Sequence, residues 1–241
     1  MKILMALLSF VLLTISLIAN PGRPNGPSVQ PPTGHDGKLW ASTFALYATA
    51  YGTTKQVCTA APYEKIVGGY RLVSAGHCVQ EIPAGAHFSV AEEIGGELTP
   101  IVMVKAVLEG SMDFSIFELK TDKVYVLFSF DTTPLKVNDS VVSVHFAEGM
   151  AKQISHGVIA SGVLLDAGRC KGECGGDFIV QMYGGPGASG ALVVSAKTHR
   201  AIGIVVMGFN GEPMGMVVEP LSEFSKFLSL PAQPHPADDE E

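Results

Sequence analysis

Charge is what this chain has least of. Asp, Glu, Lys and Arg make up 16% of its 241 residues, and the net charge is −7. Four of the negatives sit together in Asp238-Asp239-Glu240-Glu241, which leaves the remainder near −3. No basic run occurs, so the electrostatic footprint of a nucleic-acid binder is missing. Cysteine is also scarce, at four. Cys170 and Cys174 have a Cys-x-x-x-Cys spacing, but a structural metal site needs two further ligands, and no second Cys pair or nearby His pair offers them. Neither a metal nor another cofactor is expected. Internal repeats are absent from the sequence. One long apolar run exists, from Ile3 to Ala19 behind Lys2, broken only by Ser9, Thr14 and Ser16. It reads as an export signal over residues 1–20. Leu17 is large for the position three residues before a cut after Ala19. An uncleaved membrane anchor through residues 3–19 therefore stands as the alternative. Either form implies a secreted or periplasmic location, or a domain anchored outside the cytoplasm.

What is present points to strands. Apolar residues make up 47%, enough for a sizeable core, and 27 glycines punctuate many short Val/Ile-rich runs. This predicts an all-β chain. Strands are expected near 39–50, 55–62, 69–75, 86–90, 98–108 and 113–119. A second set is expected near 141–146, 153–164, 177–183, 190–196, 200–207 and 214–219. Two sets of six fit two packed six-stranded antiparallel β-barrels. Leu221, Phe224, Phe227 and Leu228 have helical spacing, which predicts a short C-terminal helix with those four on one face. The expected organisation is a Pro-rich extended linker at 21–37, an N-terminal barrel at 38–128, a C-terminal barrel plus helix at 129–230, and an acidic disordered tail at 231–241.

Three segments carry chemistry: Ser74-Ala75-Gly76-His77-Cys78, Asp113-Phe114-Ser115-Ile116, and Gly187-Ala188-Ser189-Gly190. Alone, each is an ordinary loop or strand entry. Together, in the order His, Asp, Ser, they suit acyl transfer through an activated serine. A serine hydroxyl is a weak nucleophile until a base takes its proton. An imidazole titrates near neutrality and can serve. A buried carboxylate can hold that imidazole in one tautomer. The remaining polar residues in this reading are bland. His145, His156 and His199 are strand or loop histidines, Glu173 and Asp177 are solvated loop charges, and Met103, Met112, Met207, Met214 and Met216 fill core or pocket.

These motifs resemble those of the chymotrypsin-fold serine peptidases, most closely the bacterial branch of HtrA and glutamyl-endopeptidase types. A weaker fourth match is Gln153 to Gly162, similar to the first hairpin of the second barrel in the HtrA branch. The resemblance spans about residues 39–220 and includes no PDZ domain. It implies His77 as base, Asp113 as its orienting carboxylate and Ser189 as nucleophile. The backbone N–H groups of Gly187 and Ser189 would form the oxyanion hole. By register with relatives, Tyr183, Val206, Met207, Gly208 and Gly215 would line an apolar substrate pocket. An uncharged hydrophobic or small P1 residue is then expected.

Four cysteines allow three pairings. Relatives often bridge the position beside the histidine, which favours Cys58 with Cys78 and leaves Cys170 with Cys174. Lys65-Ile66-Val67-Gly68-Gly69 looks like a zymogen cleavage site but lies too close to His77. It reads instead as a hairpin turn, with Gly68 and Gly69 supplying positive φ. Ala188 replaces the aspartate or asparagine usual before the serine, so no amine-driven activation switch is expected. The resulting expectation is an exported serine endopeptidase acting on protein or peptide substrates. The alternatives are a membrane-anchored processing protease of narrow specificity, such as a viral one, and an inactive peptidase-fold binding protein.

Overall fold

The structure, a computed structural model, describes residues 31–80, 82–109, 112–131, 136–161, 177–209 and 212–230. The apolar run at 3–19, the linker up to residue 30, the Cys170–Cys174 pairing and the tail at 231–241 lie outside the described residues. No helix among those described is long and apolar enough to cross a membrane.

Six strands close the first barrel: β1 (Phe44–Ala50), β2 (Thr53–Ile66), β3 (Gly69–Ser74), β4 (His87–Ala91), β5 (Thr99–Glu109) and β6 (Met112–Lys120). Their order around it is β1-β2-β3-β6-β5-β4, all antiparallel. The second barrel comprises β7 (Ser140–His145), β8 (Gln153–Ser161), β9 (Phe178–Gln181), β10 (Leu192–Ser195), β11 (Ala201–Phe209) and β12 (Glu212–Pro220). Its order is β10-β11-β12-β9-β8-β7. A closed barrel has no unpaired sheet edge, which is how an apolar all-β chain avoids edge-to-edge association. Both barrels belong to one compact unit starting at Pro32. All twelve strand expectations meet a strand of the structure, with ends displaced by a few residues.

Three local expectations are corrected. The chain from Gly34 to Ala41 forms a helix, α1, where the sequence predicts an extended spacer running into a strand. Propensity alone disfavours it, since Gly34 and Gly37 lie inside. Tertiary contacts win: Leu39 is fully buried and Trp40 nearly so. The orphan carbonyls at the helix end are taken up by Thr43 Oγ1, which donates to Leu39 O at 2.7 Å, and by Lys152 Nζ, which donates to Trp40 O at 3.0 Å. At the β2–β3 hairpin, Gly68 alone has positive φ, at 73°. Gly69 is needed for space instead, because a Cβ there would stand 1.9 Å from Leu119 O. The C-terminal helix α3 (Leu221–Ser229) buries Leu221, Phe224 and Phe227, but Leu228 is 47% exposed.

Two further helical segments sit at the site. A single turn, α2 (His77–Gln80), follows β3 directly. A 3-10 turn at Ala147–Gly149 follows β7, with Glu148 at φ 56°. Helix α3 docks onto the first barrel through the ring cluster of Phe114, Phe224 and Phe227. Buried Lys105 on β5 donates to the carbonyls of Phe227 and Leu230, capping the helix from across the interface.

Candidate active site

The sharp exit from β3 decides where His77 lies. Gly76 permits that exit, since a Cβ there would meet Val107 O at 2.1 Å. His77 then opens α2 beside the start of β6. Asp113 is 3% exposed and addresses His77 twice. Oδ1 accepts the His77 backbone N–H at 2.7 Å, and Oδ2 lies 2.8 Å from ring Nδ1. The carboxylate thus fixes both the main chain and the ring of one residue. With Asp113 ionised, Nδ1 must carry a proton, which leaves Nε2 free to accept one.

Ser189 stands on the loop between β9 and β10, in the second barrel. Strand β2 of the first barrel ties it to the histidine. Cys58 and Cys78 form a disulfide, which binds β2 to the residue after His77. Thr59, next in the chain, donates its N–H to Ser189 O at 2.8 Å. Gly190 packs so closely on this strand that a Cβ would meet Thr59 O and Ser74 Oγ, each at 2.2 Å, and its φ is 84°. Ser189 Oγ lies 3.5 Å from Val206 O. The described residues contain one cluster with metal-ligating proximity, Cys58, His77 and Cys78, but its two sulfurs are joined to each other.

The loop before the serine directs its amides. Ala188 donates to Gly185 O, Gly190 to Val205 O and Ala191 to Ala188 O. The N–H groups of Gly187 and Ser189 donate to no backbone carbonyl among the described residues. Pro186 O is taken by Glu148 N–H at 2.5 Å. In a trans peptide the carbonyl and the following N–H point opposite ways, so the Gly187 N–H faces away from Glu148. Gly187 has φ 95°, and a Cβ there would stand 2.5 Å from Phe146 O. Thr59 Oγ1 donates to Gly187 O at 2.7 Å, and Gln56 Nε2 donates to Phe146 O at 2.7 Å. Ala188 is fully buried in the apolar core of the second barrel. A carboxylate at that position would need a charged partner.

The residues assigned to the pocket lie along neighbouring strands. Tyr183 follows β9, Gly215 lies on β12, and Val206 to Gly208 lie on β11, with β12 between the other two. Tyr183 and Met207 are half-buried. Val206 is 1% exposed, so its side chain packs into the core while its carbonyl faces Ser189. Met216 fills the space beside Gly184, where a Cβ would meet its sulfur at 2.6 Å. Behind Tyr183 stands His145, fully buried, with Nε2 2.9 Å from Ser155 Oγ. Burial pushes its pKa down to about 4, and a backbone group of Tyr183 opposes part of that shift. Asp177 is 4% exposed, which corrects the expectation of a solvated loop charge.

Four residues that shape this site are not among those the sequence singles out: Gln56, Thr59, Glu148 and Glu219. Glu219 carries a signal, as a lone acid in the apolar run Met214 to Pro220. Gln56 and Thr59 carry none, since they act on carbonyls 90 and 128 residues further along the chain.

No family model and no curated protein matches the sequence. Solved structures do. The chain resembles the serine endoprotease from Yersinia pestis with a TM-score of 0.60 at 13% identity, over 82% of this chain and 66% of that one. It resembles the active form of the Rv3671c protease from M. tuberculosis with a TM-score of 0.63 at 15% identity, over 84% and 87%. The HtrA-type protease AlgW with a decapeptide gives 0.64 at 15% identity, over 81% and 66%. The match therefore spans about two thirds of the Yersinia and AlgW chains. The two-barrel fold of this chain is that of the HtrA-type and trypsin-like serine proteases.

Proposed function

We propose that the chain is an exported serine endopeptidase working through Ser189, His77 and Asp113. The observation that carries this reading is the double grip of Asp113 on His77, at 2.7 and 2.8 Å, with a serine loop tied to the same barrel whose Gly187 and Ser189 amides meet no backbone carbonyl among the described residues. In this mechanism Nε2 of His77 takes the Ser189 proton as Oγ attacks the scissile carbonyl. The imidazolium, balanced by Asp113, then protonates the leaving amine. Water enters, gives a proton to the same nitrogen as its oxygen attacks the acyl carbon, and His77 then returns that proton to Ser189 Oγ as the acid product leaves. The Gly187 and Ser189 N–H groups stabilise the oxyanion, each contributing about 3–4 kcal/mol in the transition state. Export is supported by the apolar run at 3–19 and by the Cys58–Cys78 disulfide, which suits an oxidising compartment.

The half-buried Tyr183 and Met207, with Gly208 and Gly215, offer no charge to a bound side chain. Substrates with an uncharged hydrophobic or small P1 residue are expected. Profiling with a mixed peptide library, with Ser189→Ala as control, tests this. Cleavage after Leu, Phe or small residues, absent from the control, is the expected outcome. Cleavage confined to Lys and Arg sites would refute the P1 assignment.

A further inference from the structure

A second acid reaches Asp113, from the opposite barrel. Glu219 is 1% exposed, and its Oε2 accepts the backbone N–H of Asp113 at 2.8 Å. It stands on β12 opposite Ile204 of β11, where the two strands run flush. A Cβ on Gly203 would meet Glu219 O at 2.6 Å and Val218 Cγ1 at 2.4 Å. The backbone of Glu219 is therefore set by the barrel that carries Ser189. Its carboxylate sets the residue that orients His77.

The next residue along is gripped by the same stretch of chain. Phe114 lies 5.1 Å from the Phe224 ring and 5.5 Å from the Phe227 ring, centre to centre, and both belong to α3, which begins two residues after Glu219. Asp113 and Phe114 are thus held together by the end of β12 and the helix that follows. A buried carboxylate is costly, and an apolar side chain of similar volume would serve packing alone more cheaply. What the acid adds is an acceptor oxygen for one specific N–H, and such a bond is directional.

We propose that Glu219 is a positioning residue: it fixes Asp113 relative to the second barrel, and so sets the placement of His77 against Ser189. The inference rests on the serine-peptidase reading above. Its contribution belongs to the chemical step, because the residue it holds acts on His77 and not on the bound side chain of a substrate. Loss should therefore appear in kcat and leave KM nearly unchanged.

The test compares Glu219→Gln, which keeps an acceptor oxygen, with Glu219→Met, which keeps volume alone. Two quantities are read: kcat and KM on one peptide substrate, and the proton resonance of His77 Nδ1–H. Glu219→Gln should stay within about threefold of the parent in kcat, while Glu219→Met should lose about 10- to 100-fold with KM within about twofold. The resonance should stay in place for Gln and move or broaden for Met. A folded Met variant with parental kcat and resonance overturns the proposal, as does a Gln variant that falls as far as Met. Should Glu219→Met fail to fold, the Gln resonance decides: the parental position supports the proposal and a shift overturns it. The resonance reports on the Asp113–His77 pair whether or not the protein turns over peptide. A parent without peptidase activity would thus strike the functional reading while the resonance still decides the placement.

Discussion

Asp113→Asn should lower kcat about 10⁴-fold while KM stays within a few-fold. The expectation follows from the two acceptor oxygens that Asp113 presents to one residue. Oδ1 takes the His77 backbone N–H and Oδ2 faces Nδ1. Asparagine has a single acceptor oxygen. The backbone N–H cannot turn away, so the amide oxygen goes to it and the NH₂ group faces Nδ1. Nδ1 must then accept, the ring proton moves to Nε2, and the base can no longer take a proton from Ser189. The size and burial of the side chain hardly change, so the variant should melt close to the parent. Steady-state kinetics on a peptide from the library, with a thermal melt, checks both parts. A loss under about tenfold would mean that Asp113 does not set the tautomer of His77.

The second large effect concerns stability in acid. His145 is fully buried, and burial lowers its pKa from an ordinary 6.5 to about 4. Between those values the unfolded chain binds a proton that the folded chain refuses. The stability this supports is complete above about pH 6.5 and is lost as pH falls toward 4. A displacement of that size corresponds to about 3 kcal/mol over the whole window. His145→Phe removes the titration and retains a ring. Urea midpoints should fall much further between about pH 7.5 and about pH 4.5 for the parent than for His145→Phe. Equal falls would show that His145 is not the source. The consequence reaches the site, because His145 immediately precedes Phe146, whose carbonyl accepts from Gln56 and abuts Gly187.

Short apolar runs and turn residues make the two barrels legible in the sequence alone: glycines mark hairpins such as those at Gly52 and Gly68, while the β10–β11 hairpin turns without one, with His199 at φ 58°. The motifs around His77, Asp113 and Ser189 are equally legible, because each is local. Helix α1 is hidden from such a reading: Leu39 and Trp40 make it stable only once Lys152 and Thr43 are there to take its last carbonyls. Leu228 keeps its helical spacing but stays 47% exposed, as a nine-residue helix has room to bury only one narrow stripe. Thr59 leaves no trace in the sequence, and Glu219 shows there only as a lone acid in an apolar run, for a different reason. Each acts on a residue far off in the chain, Gly187 and Asp113, and only barrel closure brings the pairs together. Pocket residues inferred by register are the hardest to read. Val206 turns its side chain into the core and offers its carbonyl instead, a one-residue alternation that spacing cannot phase.

An activated Ser189 underlies every step of the proposed mechanism. Intact mass after treatment with a fluorophosphonate tests it most directly, on the oxidised protein and on its Ser189→Ala variant. One adduct on the parent and none on the variant is the expected result. A folded parent that takes up no adduct, or a variant labelled equally, would contradict it.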